Sequence, residues 1–221
     1  ESGNKRSPFF VLELAGGITT YGQRNIKMSQ ARVESYGCDV VYGDTDSIYL
    51  AIPEKYFDEV DREFYSGVID KETYWRRLVE ITFNEIKWLR DDVNQMFVDD
   101  NGTKFLKTAY EEVLYPVAFL AKKKYYGIPH EEIVNFFPKK MKHYFFRGVK
   151  VRKRDTTEMV KQASMSAIRQ FLDIYNTKEV IDIVADAIRQ LYKTTWKVDD
   201  FKKQAVRKRN KNGLPVKNIP L

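Results

Sequence analysis

Apolar residues recur at helical spacing in four stretches of this chain and at strand spacing in several shorter ones. Val11, Leu14, Ile18 and Tyr21 form the first stripe, with Ser7 placed to cap a helix and Pro8 suited to its first turn. Gly16 and Gly17 weaken that helix locally and suggest close approach of another backbone or a ligand, and Gly37 is a reasonable stop. Trp75, Val79, Thr82, Ile86, Leu89 and Val93 alternate steps of four and three, which predicts a helix from Glu72 to Gln95. That stripe reads as core packing in spite of Trp75 and Trp88. Further on, Asp155 and Glu158 make a capping box ahead of a buried face of Val160, Ala167, Ile168, Phe171 and Tyr175. Ile181, Val184, Ile188 and Leu191 define another short helix.

Between the helices lie β-rich runs. Val40–Tyr42 and Ile48–Leu50 flank Gly43, Asp44, Thr45 and Asp46, the pattern of a hairpin with two carboxylates at its tip. Asp99-Asp100-Asn101-Gly102 reads as a hairpin connection and lacks the spaced ligands of an EF-hand loop. Strands are expected from Phe105 to Tyr115 and from Phe119 to Ile128, with Pro116 between them. Strands and helices mixed before residue 150, then helices alone, predict an α+β fold: an antiparallel sheet with packed helices over 1–150, followed by a mostly helical segment over 151–221. The boundary falls near Gly148–Asp155. The end, Lys202 to Leu221, is basic and holds Gly213, Pro215 and Pro220, so it is expected to be extended or poorly ordered.

Composition sharpens this picture. With 14 Phe, 14 Tyr and 3 Trp in 221 residues, a packed core is expected and general disorder is not. The net charge of +7 hides a division. Residues 1–120 carry 14 Lys and Arg against 21 Asp and Glu, whereas residues 121–221 carry 24 against 10. The basic part, with its interleaved aromatics, reads as a polyanion-binding surface, with nucleic acid favoured over a membrane surface. There is no run of apolar residues long enough to cross a bilayer and no signal-peptide pattern. Cys38, the one cysteine, reads as a small core residue that opens a buried strand. His130 and His143 are too isolated for a zinc site and read as surface residues.

The hairpin carries the chemistry. Asp44 and Asp46 repel each other unless a hard divalent cation such as Mg²⁺ takes their oxygens, and such an ion readily shares substrate phosphates. Metal-assisted phosphoryl transfer is the function this favours. The pattern alone leaves a surface turn open, and also the Asp-x-Asp of metal-dependent glycosyltransferases; the strongly basic second half argues against the latter.

The string Tyr42-Gly43-Asp44-Thr45-Asp46-Ser47 resembles the catalytic palm hairpin of family B DNA polymerases. Three more segments are similar to that family in the same order: Ile18 to Arg24, the palm helix before the hairpin; Lys122-Lys123-Lys124-Tyr125-Tyr126-Gly127, the strand that grips the primer; and Arg147-Gly148 with Arg152-Lys153-Arg154-Asp155, the passage from palm to thumb. The resemblance implies DNA-directed DNA synthesis by two-metal phosphoryl transfer. Asp46 would be the direct ligand of both Mg²⁺ ions, Asp44 a supporting one, and Glu111 a further carboxylate nearby. Tyr42, Gly43, Thr45 and Ser47 would shape the hairpin. Lys122, Lys123 and Tyr125 would meet the primer–template, with Lys123 and Tyr125 on one face of a strand and Lys122 and Lys124 on the other. Arg147, Lys150, Arg152, Lys153 and Arg154 would meet duplex phosphates.

The same resemblance marks what is missing. The family's first palm aspartate and its finger helix are absent, so the chain is expected to be a fragment, the distal palm (hairpin 38–52, gripping strand 119–128) and the start of the thumb. It would then be inactive alone and depend on the remainder of the polymerase for the second metal-ligand set. Deoxynucleoside triphosphates and primer–template DNA are the expected substrates, a processivity factor is left open, and the setting is intracellular, in a nucleus or at a viral replication site. The alternative is a non-catalytic, sequence-independent duplex-binding module derived from a polymerase.

Overall fold

Helix α1 (Leu12–Glu34) starts later than its apolar stripe predicts. Ser7 closes a turn of its own, accepting from the Phe9 amide at 3.2 Å, and Val11 precedes the helix without a side-chain cap. A computed structural model of the chain describes residues 2–44, 46–153 and 155–202, with Met141 and Arg152 described by backbone alone. Its fold is α+β: among the described residues, five α-helices accompany a two-stranded and a three-stranded sheet, both built from antiparallel pairs where the register is defined. The chain divides into two compact units, residues 1–113 with 130–134, and residues 114–129 with 135–221. The first carries 14 Lys and Arg against 23 Asp and Glu, the second 24 against 8.

In the first unit, β1 (Asp39–Asp44) and β2 (Ser47–Ala51) form a hairpin that packs on α1 and on α3 (Lys71–Asn101). Val33, Cys38, Ile52, Leu89, Val93 and Phe97 are buried together, and Val40, Ile48 and Leu50 close over them. Cys38 is therefore the small core residue expected, and burial pushes its thiol pKa up. A second helix, α2 (Asp58–Tyr65), lies against α3, whose start is capped by Asp70 accepting from the Thr73 amide at 2.7 Å. Two forked ion pairs tie α1 to α3. Arg24 grips Asp100 with both bonds at 2.6 Å, and Arg32 grips Asp92 at 2.6 and 2.7 Å. The partners climb one helix and descend the other, so the two helices run antiparallel.

Several expectations are corrected here. Leu14, Ile18 and Tyr21 do not face a core; Ile18 is 60% exposed. The buried positions of α1 are Asn25, Ser29 and Val33, because only the second half of this long helix lies over the hairpin core. Asp99 to Gly102 is no hairpin connection. Helix α3 runs on to Asn101, and Gly102, at φ 68°, ends it by donating its amide to the Val98 carbonyl. The strand expected from Phe105 is irregular up to Glu112. There the Asn94 side chain substitutes for a neighbouring strand, accepting from the Thr108 amide at 2.7 Å and donating to its carbonyl at 3.0 Å. His130 is not a surface residue; it is 1% exposed, and its carbonyl accepts from the Tyr110 hydroxyl. His143 is exposed, as expected.

In the second unit, β3 (Val113–Ala121), β4 (Lys124–His130) and β5 (Phe145–Arg147) form a sheet in that order. Tyr126, Ile128 and Tyr144 pack with Val151 and with Met165, Ile168 and Leu172, which come from α4 (Glu158–Phe171) and its end. Asp155 and Glu158 do not make the expected capping box: Thr157 precedes the helix, so Glu158 stands in its first position, too early to reach back. Val160 and Tyr175 are exposed, since the face that meets the sheet passes through Met165, Ile168 and Leu172. Helix α5 (Val180–Lys193) packs on α4 through Ile183 and Ala187.

Candidate active site and nucleic-acid interface

The hairpin owes its shape to one extra residue. Val40 pairs with Leu50 and Tyr42 with Tyr49, so Val41 bulges, after which Gly43 pairs with Ile48 and Asp44 with Ser47. Two residues, Thr45 and Asp46, make the connection; Thr45 lies outside the described residues. Asp44 is the last residue of β1 and half-buried, whereas Asp46 sits exposed at the tip. The Asp46 amide donates to the Asp44 carbonyl at 2.5 Å, and the Ser47 hydroxyl donates to the same oxygen at 3.3 Å. Tyr42 and Tyr49 face each other across the strands, ring centroids 6.0 Å apart. A Cβ on Gly43 would meet only ordinary contacts, the Ser47 carbonyl at 3.6 Å and Ile48 at 3.8 Å, so closure of the hairpin does not itself demand glycine.

These are hard oxygen donors one residue apart in sequence, the donor chemistry that Mg²⁺ takes. Two carboxylates are an incomplete set. Glu111 is exposed in the irregular stretch before β3, and no group of three or more His, Cys, Asp or Glu able to hold a metal gathers among the described residues.

The lysine motif is placed differently from its expected strand. Lys122 and Lys123 form the two-residue turn between β3 and β4, so the alternation expected for Lys122 to Tyr125 does not apply. Lys123 takes the left-handed conformation at φ 60°. Gly148, at φ 62°, lies so close that a Cβ there would sit 1.9 Å from the Lys123 carbonyl oxygen. This contact sets Arg147 and Gly148 directly against the turn, a proximity the sequence motifs do not reveal on their own. Tyr125, paired with Arg147 across β4 and β5, is only 5% exposed. Its ring lies 5.2 Å from Phe119 and 5.8 Å from Phe145, and the Arg147 guanidinium lies 5.4 Å from the Phe145 ring centroid. Phe119 and Phe145 were not among the predicted site residues; they lie on β3 and β5, so no spacing along one strand links either to Tyr125.

Lys122, Lys123, Lys124, Arg147, Lys150 and Lys153 are all exposed. Among the described residues, Lys122, Lys124, Arg147, Lys150 and Lys153 form no ion pair with an acid, which leaves their charge available to a polyanion. Arg152 lies in a short helical turn with its side chain not described, and Arg154 lies outside the described residues.

No protein-family model matches the chain. A DNA polymerase beta of African swine fever virus (isolate Tick/Malawi/Lil 20-1/1983) is 34% identical over 210 residues, 91% of this chain and 17% of that protein. This chain is related to DNA polymerases. A DNA polymerase of Pyramimonas orientalis virus is 29% identical over 206 residues, covering 90% of this chain and 15% of the relative. One from Pyrococcus horikoshii is 27% identical over 193 residues, 86% and 12% respectively. The polymerase-related chain thus spans less than a fifth of the length of these relatives. No helix among its described residues is long and apolar enough to cross a membrane.

Proposed function

We propose that the chain is the part of a family B DNA polymerase that carries the Asp-Thr-Asp hairpin and the base of the thumb, and that it serves template-directed addition of deoxynucleotides to a primer 3′-hydroxyl. The observation that carries this reading is the hairpin itself: Asp44 and Asp46 flank a single residue on a turn closed by the Asp46 amide. Similarity to polymerases over 91% of the chain supports it.

In this reading Asp46, at the exposed tip, and Asp44, at the strand end, hold Mg²⁺; the further-carboxylate role expected of Glu111 has no gathered group of three behind it among the described residues. When bound, the two ions supply the Lewis acidity that phosphoryl transfer from a triphosphate requires. Gly43 leaves the strand beside Asp44 without a side chain, which gives a nucleotide room to approach. Ligands from the remainder of a longer polymerase chain complete the donor set, and the exposed apolar front of α1 is a surface for that remainder to cover. The turn at Lys122 to Lys124, with Arg147, Lys150, Arg152, Lys153 and Arg154, grips primer–template phosphates without reading sequence. Tyr125 acts from within its aromatic stack by holding that turn in shape. The isolated chain binds DNA but does not extend a primer, and the full polymerase acts where its DNA is, in a nucleus or at a viral replication site.

The test is Mn²⁺ titration followed by nuclear magnetic resonance, combined with primed-duplex binding by anisotropy. Broadening should begin at Asp44, Asp46 and Ser47 and vanish in Asp44→Asn/Asp46→Asn, whereas duplex binding should fall in Lys122→Gln/Lys124→Gln. A hairpin that stays sharp at every Mn²⁺ concentration would overturn the catalytic reading. The exposed basic turn at Lys122 to Lys124 also supports, as second reading, a duplex-binding module without chemistry. That outcome would show intact DNA affinity beside a metal-indifferent hairpin.

A further inference from the structure

Helices α4 and α5 leave between them an open cleft of about 1100 Å³, wholly within the second unit. Its walls are held in place by polar bonds. Ser166 donates to Gln190 across the cleft at 2.8 Å, and Lys178 meets both Asp186, at 2.6 Å, and Gln170, at 3.3 Å. Arg189 also bonds to Asp186, at 2.9 Å, so the charges at that end satisfy one another.

The other end is different. Lys193 has no acidic partner among the described residues, and Lys161 has only Glu158, loosely, at 3.9 Å. Beside them stands Trp196, half-buried, its indole Nε1 donating to the Leu191 carbonyl at 2.8 Å, so the ring is fixed. An anchored indole next to two under-neutralised ammonium groups, in a unit with a large positive excess, is complementary to a flat ring joined to an anion. The space is ample for one such ligand, since small-molecule sites occupy roughly 300–1,000 Å³.

We propose that this cleft is a nucleotide-binding site, with the base stacked on Trp196 and the phosphate paired with Lys161 and Lys193. The ligand is either a free nucleotide or one unit of a single strand, and the two share this chemistry. The cleft shares no residue with the Asp44–Asp46 hairpin or the Lys122–Lys124 turn, so it stands whether or not the polymerase reading does.

Tryptophan emission of the full chain, titrated separately with dATP and with a short oligothymidylate, tests the assignment. Quenching is expected with at least one ligand, lost in Trp196→Phe and preserved in Trp88→Phe, at an exposed tryptophan outside the cleft. The ligand that quenches identifies the source. Lys161→Gln/Lys193→Gln should weaken binding about a hundredfold or more, because each charge-assisted contact is worth about tenfold or more. These lysines line a solvent-open cleft, so this variant should fold, which circular dichroism checks. No quenching by either ligand, equal quenching in Trp196→Phe, or affinity unchanged in the double lysine variant would overturn the proposal.

Discussion

Replacing Gly148 by alanine tests how tightly the basic turn is built. The new Cβ would lie 1.9 Å from the Lys123 carbonyl oxygen, 3.0 Å from its carbon and 3.2 Å from the Lys124 Cγ. A carbon and a carbonyl oxygen settle at about 3.3 Å or more, so one of two backbones must retreat by more than an ångström. Gly148 also sits at φ 62°, where an L-residue costs about 1–2 kcal/mol. Overpacking of a backbone contact adds about 1–3 kcal/mol. The sum, about 2–5 kcal/mol, is a large share of the stability of an ordinary domain.

Native-state hydrogen exchange at the Tyr126 and Phe146 amides reads this loss locally, since those residues pair across β4 and β5. Duplex affinity should fall with it, because the turn that presents Lys122 to Lys124 is displaced. Gly43→Ala is the control. Its Cβ meets nothing closer than 3.6 Å, so in a strand it should be neutral or stabilise by up to about 1 kcal/mol. A Gly148→Ala protein that loses less than about 1 kcal/mol, or loses no more than Gly43→Ala, would refute the reasoning.

Four further outcomes are expected. Ile183→Ala should cost about 2–5 kcal/mol in urea unfolding, because the side chain is buried against α4, whereas Ile181→Ala, at 73% exposure, should change stability by less than about 0.5 kcal/mol. Asn94→Ala should cost about 1–3 kcal/mol and release the Thr108 amide to fast exchange, because the three bonds between Asn94 and Thr108 are lost. In acid, hydrogen bonds from Arg32 and Arg24 hold the Asp92 and Asp100 carboxyls below their usual range. Their contribution is complete above the unfolded value of about 3.9 and disappears as pH falls through the lower folded values. The Asp92→Asn/Asp100→Asn variant should therefore show a shallower acid limb in a pH series of unfolding curves. In alkali, burial pushes the Tyr110 phenol up to about 12. The unfolded chain gives up this proton near pH 10, so stability should fall from there up to about 12, and Tyr110→Phe should flatten that decline.

Local chemistry made the hairpin legible. Strand formers on either side of Gly43 to Asp46 permit little else, and the hairpin is observed, with strands that run further than expected so that Asp44 pairs with Ser47. Helix α3 was legible for the same reason, as Val79, Leu89 and Val93 keep one face buried. What could not be read is where a stripe finds its partner. Leu14 and Ile18 have a proper helical period, yet no described residue covers them, and periodicity carries no information about that. The lysine motif failed as a strand because its turn is set by Gly148, some 25 residues later in the chain, pressed against the Lys123 carbonyl. Asn94 escaped notice because a side chain imitating a strand leaves no pattern in sequence. His130 was misjudged because isolation along the chain says nothing about burial.

The extra residue at Val41 has a consequence for how this ribbon tolerates changes in length. Val40 opposite Leu50 and Tyr42 opposite Tyr49 already keep strand phase on either side of it, so deleting Val41 alone would close the bulge and leave every other pair in place. Tyr42 would stay opposite Tyr49, Gly43 opposite Ile48 and Asp44 opposite Ser47; what would go is the local twist that the bulge adds to the strand carrying Asp44. Loss of one residue here can thus be absorbed by closing the bulge, with the acid still opposite Ser47. The unpaired position is slack in the ribbon: the spacing from Cys38 to Asp44 can shorten by one without moving the acid off its partner.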